Sequence, residues 1–187
     1  MKKQQFQFTG TGGQGLILAA IMWAEASILS GQNVVQSQSY GPEARGGASK
    51  SEVIISDEAI YYPKVRDVDY ALTMSREAYK KYGLNMRDEA VLIVDDTYVP
   101  EVKARANVFS LPITKTARAE FGSEQSANIV ALGAVAAISN TIPLAHVRQA
   151  VERRAPKGTA ERNLKALELG WNLGLAAQRA GEVATAG

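Results

Sequence analysis

The chain has 187 residues, of which 46% are hydrophobic, 21% are charged and none is cysteine. This composition predicts a folded domain with a sizeable core, and it excludes a disulfide scaffold, a thiolate zinc site and a cysteine-ligated iron–sulfur cluster in the chain itself. The formal net charge is only +2 and the basic residues are scattered, which argues against nucleic acid or a membrane surface as a partner. No apolar run reaches the ~20 residues that span a bilayer, and we expect a cytoplasmic protein.

The first third of the chain alternates strand and helix patterns. Residues 3–9 predict a strand, 13–30 a helix and 33–38 a second strand. A polar, glycine-rich loop follows at 39–47, and residues 48–56 return as a strand. Because two strands joined by a loop suggest a hairpin-like return, we expect a mixed sheet.

The middle of the chain continues the alternation with shorter elements. Strands are predicted at 69–73, 90–95 and 107–111. A short helix is predicted at 75–82, with Ser75 as its N-cap because a serine hydroxyl can accept a hydrogen bond from the first helical turn.

The last third of the chain is helical in pattern. Helices are predicted at 128–139, 144–154 and 159–178, and the tail at 181–187 is expected to fray. The order of elements predicts an α/β fold: a Rossmann-like three-layer sandwich with a mixed, mostly parallel sheet and a helical C-terminal part. We expect residues 1–187 to form one domain, with the helices of 128–180 packed on it.

Two glycines in the last helix predict an unusually close contact. Gly170 and Gly174 are four residues apart and share one side of the helix. Each costs about 1 kcal/mol relative to alanine in a helix interior. Close approach of a second helix is the compensation we expect.

A glycine loop joins the first strand to the first helix. Its residues match the spacing G-x-G-x-x-G: Gly10, Thr11, Gly12, Gly13, Gln14 and Gly15. Such a loop lets the backbone approach a ligand and points free N–H groups at an anion, which the helix dipole also favours. The alternative is a tight strand-to-helix turn without a ligand.

The sequence lacks the residues that usually accompany a nucleotide-binding glycine loop. A site for NAD has an acid about 20 residues after the glycines, but no Asp or Glu lies between Gln32 and Tyr40. Only Arg45 could meet an NADP phosphate, and no Gly-Lys-Ser/Thr of a phosphate-binding P-loop occurs. A stand-alone NAD(P)-binding Rossmann oxidoreductase therefore stays as the alternative hypothesis.

A second special loop follows the second strand. It consists of Ser39, Tyr40, Gly41, Pro42, Glu43, Ala44, Arg45, Gly46 and Gly47. Since both loops follow the carboxyl ends of strands, we expect them to lie near each other. The planar donor fork of Arg45 suits a phosphate or carboxylate, and Glu43 could position it. The alternative is a solvated hairpin loop with a surface ion pair.

Other polar candidates have structural interpretations. His146 is the only histidine and lacks a nearby carboxylate to orient it, so we expect no catalytic role. Asp95 and Asp96 end a strand and are read as a turn signal in preference to a metal site. Trp23 and Trp171 are interpreted as core or subunit-interface anchors.

The two loops together resemble the γ subunit of the 2-oxoacid:ferredoxin (acceptor) oxidoreductases, and the resemblance covers nearly the whole chain. Asn128 and Asn163 are lesser marks of the same family. The resemblance implies a role in a multisubunit enzyme that oxidises a 2-oxoacid with coenzyme A to an acyl-CoA and CO₂. It implies that the γ subunit is not itself redox-active, serves in assembly and shapes the CoA side of the site.

The resemblance also implies the partners and cofactors. The complex would use thiamine diphosphate, Mg²⁺, [4Fe–4S] clusters and CoA, with α and β subunits, a δ subunit in some members, and ferredoxin as acceptor. No cofactor is expected on this chain alone, and the isolated chain is expected to be inactive. The donor-rich loops could hold CoA or an acidic loop of a partner subunit. 2-Oxoglutarate is the first expectation for the substrate; pyruvate, branched-chain oxoacids and indolepyruvate stay open.

Overall fold

Six strands form one mixed sheet in the computed structural model, which describes residues 3–39, 47–84 and 86–185. The strands are β1 (Gln4–Thr11), β2 (Asn33–Ser39), β3 (Ala48–Ser56), β4 (Tyr70–Thr73), β5 (Val91–Asp95) and β6 (Val108–Leu111). Their order across the sheet is β2-β3-β1-β4-β5-β6. β3 runs antiparallel to both of its neighbours, whereas β1, β4, β5 and β6 are mutually parallel. The predicted mixed, mostly parallel sheet is confirmed.

Helices connect and cover these strands. They are α1 (Leu16–Leu29), α2 (Arg76–Ala78), α3 (Ile113–Phe121), α4 (Ala127–Ser139), α5 (Leu144–Arg154) and α6 (Ala160–Thr185). A π-helical turn, Tyr79–Gly83, continues α2. Among the described helices, none combines the length and the apolar character that crossing a bilayer requires.

The sheet separates two hydrophobic clusters. Phe6 and Phe8 of β1 alternate with polar neighbours and face the larger cluster, which holds α1 and the helices from α3 onward. Leu92 and Val94 of β5 face the other way, where Tyr79 completes a smaller cluster. Successive side chains of a strand point to opposite faces, so the alternation in sequence produces the three predicted layers and confirms the α/β class.

The close helix contact predicted from the glycines is present between α4 and α6. A Cβ atom on Gly170 would fall onto the carbonyl oxygen of Val130, and one on Gly174 would lie 2.7 Å from the Cβ of Ala137. On the facing helix, a Cβ on Gly133 would lie 2.7 Å from the backbone N of Trp171. Side-chain-free positions on both helices therefore bring the two backbones together.

Three predicted boundaries were wrong for local reasons. α1 begins at Leu16, not at residue 13, because Gly13 (φ 94°) and Gly15 (φ 73°) are in the left-handed region. The last helix runs on to Thr185. The helix predicted at 75–82 keeps its Ser75 N-cap, whose hydroxyl accepts from the Ala78 N–H at 3.1 Å, but only one turn is α-helical.

The π-helical turn after α2 is explained by the packing of Tyr79. Tyr79 is 7% exposed, and its hydroxyl accepts a hydrogen bond from the Lys103 N–H at 2.8 Å. A Cβ on Gly83 would lie 2.5 Å from the Tyr79 ring. The π turn thus carries the chain directly over a buried ring that a distant loop holds in place.

Helix α3 was not predicted as an element of its own. Its N-terminus is held by Asp95, whose carboxylate accepts hydrogen bonds from the Thr114 N–H at 3.1 Å and the Thr114 hydroxyl at 2.5 Å. Asp95 comes from the end of β5 and is fully buried. The helix start is therefore specified by a residue 19 positions away, which a local pattern does not reveal.

Candidate functional site

The glycine loop lies at the carboxyl end of β1 and is held by the Gln14 side chain. The Gln14 carbonyl oxygen accepts from the Thr11 N–H at 2.8 Å, and its amide donates to the Met74 carbonyl at 2.9 Å. Gly10 lies under this side chain, where a Cβ would collide with the Gln14 oxygen. Gln14 therefore ties the loop to the end of β4.

The junction of the loop with α1 touches the start of α4. The Asn128 amide donates to the Gly15 carbonyl at 3.2 Å, and a Cβ on Gly15 would lie 2.6 Å from that amide nitrogen. The left-handed φ of Gly15 independently favours glycine. Asn128, a lesser mark in the sequence, thus contacts the loop directly.

The loop presents unused hydrogen-bond donors. Across the described part of the chain, the backbone N–H groups of Gly13, Gly15 and Leu16 have no acceptor. These groups lie at the N-terminus of a 14-residue helix, where the helix dipole favours an anion. No side chain of the described residues caps this helix start, so these donors suit a phosphate or carboxylate.

Two clefts open on either side of the loop. One, of about 210 Å³, lies between the loop and the start of α4, and its wall includes Gln14, Glu124 and Asn128. The other, of about 420 Å³, lies between the loop and α1. Apolar side chains and Ser49 line the second cleft opposite the backbone of Thr11, Gly12 and Gly13.

The ends of the second loop lie beside the first loop. Ser39 is the last residue of β2, and Gly47 precedes β3. The Gly12 N–H donates to the Gly47 carbonyl at 3.4 Å, and Ser49 donates from its hydroxyl to the Gly10 carbonyl at 3.2 Å. The expected neighbourhood of the two loops is confirmed for these ends.

The rest of the second loop falls in the gap between 39 and 47 of the described ranges. The predicted site residues there are Tyr40, Gly41, Pro42, Glu43, Arg45 and Gly46. Their roles stay predictions.

Sequence reasoning missed the polar residues across the crevice from the glycine loop. Arg76, three positions after β4, lines a cleft together with Thr11, Gln14, Tyr98 and Glu124. The chain leaves β1 toward one face of the sheet and β4 toward the other, and such a divergence is where α/β sheets bind ligands. This topological rule was the available signal.

Glu124 is part of a polar cluster at the rim of that crevice. The Tyr98 hydroxyl donates to its carboxylate at 2.8 Å, and the Arg118 Nε–H donates at 2.8 Å. These two donors, Tyr98 first and Arg118 second, lower the pKa of Glu124. The same hydrogen bond has the opposite effect on its donor and raises the pKa of Tyr98. An ionised carboxylate therefore borders both the crevice and the smaller cleft.

The acidic pair has structural roles. Asp95 holds the start of α3, and Asp96 forms an ion pair with Lys115 at 2.8 Å. The described residues contain no group of three or more His, Asp or Glu that could hold a metal ion. His146 is half-buried in the first turn of α5.

Comparison with known proteins agrees with this geometry. Residues 5–173 match the family described as pyruvate ferredoxin/flavodoxin oxidoreductase. The chain belongs to this family. The resemblance drawn from the two loops is confirmed.

Members of the family that resemble the whole chain include separate small subunits. The 2-oxoglutarate synthase subunit KorC of Archaeoglobus fulgidus is 42% identical over 173 residues, which are 92% of this chain and 89% of that protein. A crystal structure of a keto/oxoacid ferredoxin oxidoreductase γ subunit from Geobacter sulfurreducens is 43% identical. It matches with a TM-score of 0.83 over 93% of this chain and 99% of that one.

Another member of the family carries the matching region inside a longer chain. Ketoisovalerate oxidoreductase subunit VorA of Methanothermobacter thermautotrophicus is 27% identical over 135 residues. These are 72% of this chain but only 28% of that protein. The same domain therefore occurs in the family both as a separate chain and as part of a larger one.

Proposed function

We propose that this chain is the γ subunit of a 2-oxoglutarate:ferredoxin oxidoreductase, a complex that converts a 2-oxoacid and CoA into an acyl-CoA and CO₂. Its relatives of similar length support this assignment, since one at 42% identity is a 2-oxoglutarate synthase subunit. Within the complex the chain serves in assembly and in shaping the CoA side of the active site. A cytoplasmic location belongs to the proposal, and cell fractionation tests it.

The meeting of two loops at one edge of the sheet is the observation that carries the proposal. The free N–H groups of Gly13, Gly15 and Leu16 suit the phosphates of CoA, because such groups at a helix start bind anions. The Gly12–Gly47 hydrogen bond supports this, because it holds one end of the second loop beside the first, and we expect Arg45 to bind the same ligand. When bound, CoA supplies the thiol that accepts the acyl group.

The remaining cofactors are assigned to other subunits. A chain without cysteine has no thiolate for an iron–sulfur cluster. Thiamine diphosphate, Mg²⁺ and the [4Fe–4S] clusters would lie on the α and β subunits and, where present, a δ subunit, with ferredoxin taking the electrons. This chain's own part is to hold and orient the anionic end of CoA.

The alternative of a stand-alone NAD(P)-dependent oxidoreductase has less support. β2 ends in Gln36, Ser37, Gln38 and Ser39, and none of these side chains offers the carboxylate that binds a ribose 2′-OH. Titration of the isolated chain with NADH and NADPH separates the two hypotheses. Tight, saturable binding of NADH or NADPH to the isolated chain would favour the alternative.

Reconstitution with the α and β subunits tests the main proposal. The complex should reduce a low-potential acceptor in the presence of 2-oxoglutarate and CoA, and the isolated chain should not. Arg45→Ala should raise the KM for CoA by about 10-fold or more, because a charge-assisted hydrogen bond to phosphate contributes roughly 1.5–3 kcal/mol. Arg148→Ala, on an exposed position of α5, is the matched control. Activity of the isolated chain, or an unchanged KM in Arg45→Ala, would contradict the proposal.

A further inference from the structure

One flank of α1 carries an apolar stripe that the described residues leave partly exposed. The stripe consists of Ile17, Ile21 and Ile28. Ile28 is 60% exposed, and Ile17 and Ile21 are half-buried. The spacing of four and seven residues places these three isoleucines on one face of the helix. Glu25, four residues after Ile21 and three before Ile28, borders this face.

The position of α5 shows which side of α1 is open. Glu25 pairs with Arg154 at the end of α5, with the Arg154 Nε at 2.8 Å from the carboxylate. On the other side, Ile17 and Ile21 line the cleft that contains Gly12, Gly13 and Ser49. The stripe therefore begins beside the glycine loop, and Glu25 at its border contacts α5.

The edge strand of the sheet also lacks the usual protection within the residues that the structure describes. β2 is the outermost strand, and none of the residues in Asn33–Ser39 is charged or proline. Its register against β3 is continuous, without a bulge. Monomeric proteins normally protect such edges with charges, proline, bulges or short length. The opposite edge, β6, has only four residues, so the two edges differ in this respect.

We propose that the α1 stripe and the neighbouring edge of β2 form the docking surface for the larger subunit of the complex, which contributes a helix with an apolar seam of its own. This inference rests on the proposed function. The ketoisovalerate relative supports the choice of partner, because its matching region is only 28% of that chain. In that relative the rest of the chain is available to pack on this domain, and here a separate subunit would take that place.

A second copy of this chain fits the surface less well. Two α1 helices related by a two-fold axis would run either antiparallel, with Ile28 of one copy against Ile17 of the other, or parallel, with Ile17 against Ile17. Ile17 lines the cleft beside the glycine loop, and each copy would then close the other's cleft. A different subunit on the stripe could instead contribute groups of its own to a ligand in that cleft.

The test compares charged variants in the assembled complex. Ile28→Glu and Ile21→Glu should each weaken binding of the α and β subunits by about 30-fold or more, because a buried unpaired charge at the centre of an interface has the cost of a hot-spot loss. Thermal unfolding of the isolated Ile28→Glu chain should be unchanged, since that side chain is exposed. Tyr61→Glu, at a position 94% exposed, is the control and should bind normally.

The outcomes separate this surface from the proposed function. Unchanged binding of both stripe variants would overturn the docking surface while leaving the γ-subunit assignment intact. A dimer of the isolated chain that Ile28→Glu dissociates would overturn it in favour of a second copy. Failure of the unsubstituted chain to bind the α and β subunits would overturn both proposals.

Discussion

Helices α1 and α4 look alike in sequence and differ in their surroundings. Glu25 is the only charged residue of α1, and α4 has none. Every residue of α4 is buried, between the sheet and α6. α1 packs on β1, β2 and β3 and beside α5, but Ile28 on its free flank is 60% exposed. A helix that is apolar on all sides must pack against other elements on all sides. Those elements can belong to its own chain or to another subunit.

The difference lies in what α6 does for α4. Gly133 on α4 and Gly170 on α6 let the two backbones touch, so α6 closes the face of α4 that the sheet leaves open. Nothing in the described residues does this for the stripe on α1. α4 is therefore buried entirely within the chain, whereas α1 buries one face and leaves Ile28 exposed.

A charge in each helix gives the largest expected contrast. Ala134→Glu places a carboxylate where the side chain is 0% exposed and should lower the free energy of unfolding by more than about 4 kcal/mol. Ile28→Glu should change it by less than about 0.5 kcal/mol. Urea unfolding followed by circular dichroism measures both. Equal losses would show that the flank of α1 is covered within the chain.

The glycine contact under α6 is expected to be the next most sensitive position. Gly170→Ala sets a Cβ onto the Val130 carbonyl, and the backbones must separate to relieve it. We expect a loss of about 2–3 kcal/mol despite the better helix propensity of alanine. Gly12→Ala, whose Cβ would have no atom within 4 Å, is the control. A gain in thermal stability for Gly170→Ala would contradict the close contact.

The point where α1 and α4 touch can be probed by a double-mutant cycle. Gly15→Ala should cost about 1–3 kcal/mol, from a strained left-handed φ and from collision with the Asn128 amide. Asn128→Ala removes the amide with which the new Cβ collides, so the double variant should regain part of the stability that Gly15→Ala loses. If the double variant lost as much stability as the two single variants together, Asn128 would not collide with a side chain at position 15. The same variants should weaken CoA binding in the assembled complex.

The smallest expected effect concerns the turn that leads into α4. The pKa of Glu124 is lowered by Tyr98 and Arg118, so its ionised form stabilises the folded state above the ordinary glutamate pKa of about 4.3. That contribution is lost as the pH falls through the lowered pKa. The side chain is 41% exposed, so Glu124→Gln should cost at most about 0.5 kcal/mol at neutral pH. Urea midpoints measured from neutral pH downward check that the difference between Glu124→Gln and the unsubstituted chain shrinks in acid.

Local patterns were enough for several elements. The strand at Ala48–Ser56 and the helix at Leu144–Arg154 have the predicted bounds, because alternation and helical periodicity are unambiguous there. The Ser75 cap and the glycine contact of α6 were also predicted, since each depends on the chemistry of one or two residue types. Helix α3 was missed because Asp95 specifies its start from another strand.

The candidate site was predictable only in part. The glycine loop was found because close backbone approach requires glycine, which is visible in the sequence. Arg76, Tyr98 and Glu124 were not found, because they come from three separate segments that only the sheet order brings to the crevice. The contact of Asn128 with Gly15 joins residues 113 positions apart and could not be read from spacing.

The sequence by itself determined the α/β class, the two loops and the family, because backbone freedom, donor chemistry and periodicity are properties of short segments. The tertiary structure decided that the ends of the two loops meet, that α4 is covered by α6 and that one flank of α1 is left open. These depend on which surfaces the sheet order brings together. An apolar helix has the same composition whether its cover lies in its own chain or in another, so only the fold distinguishes the two.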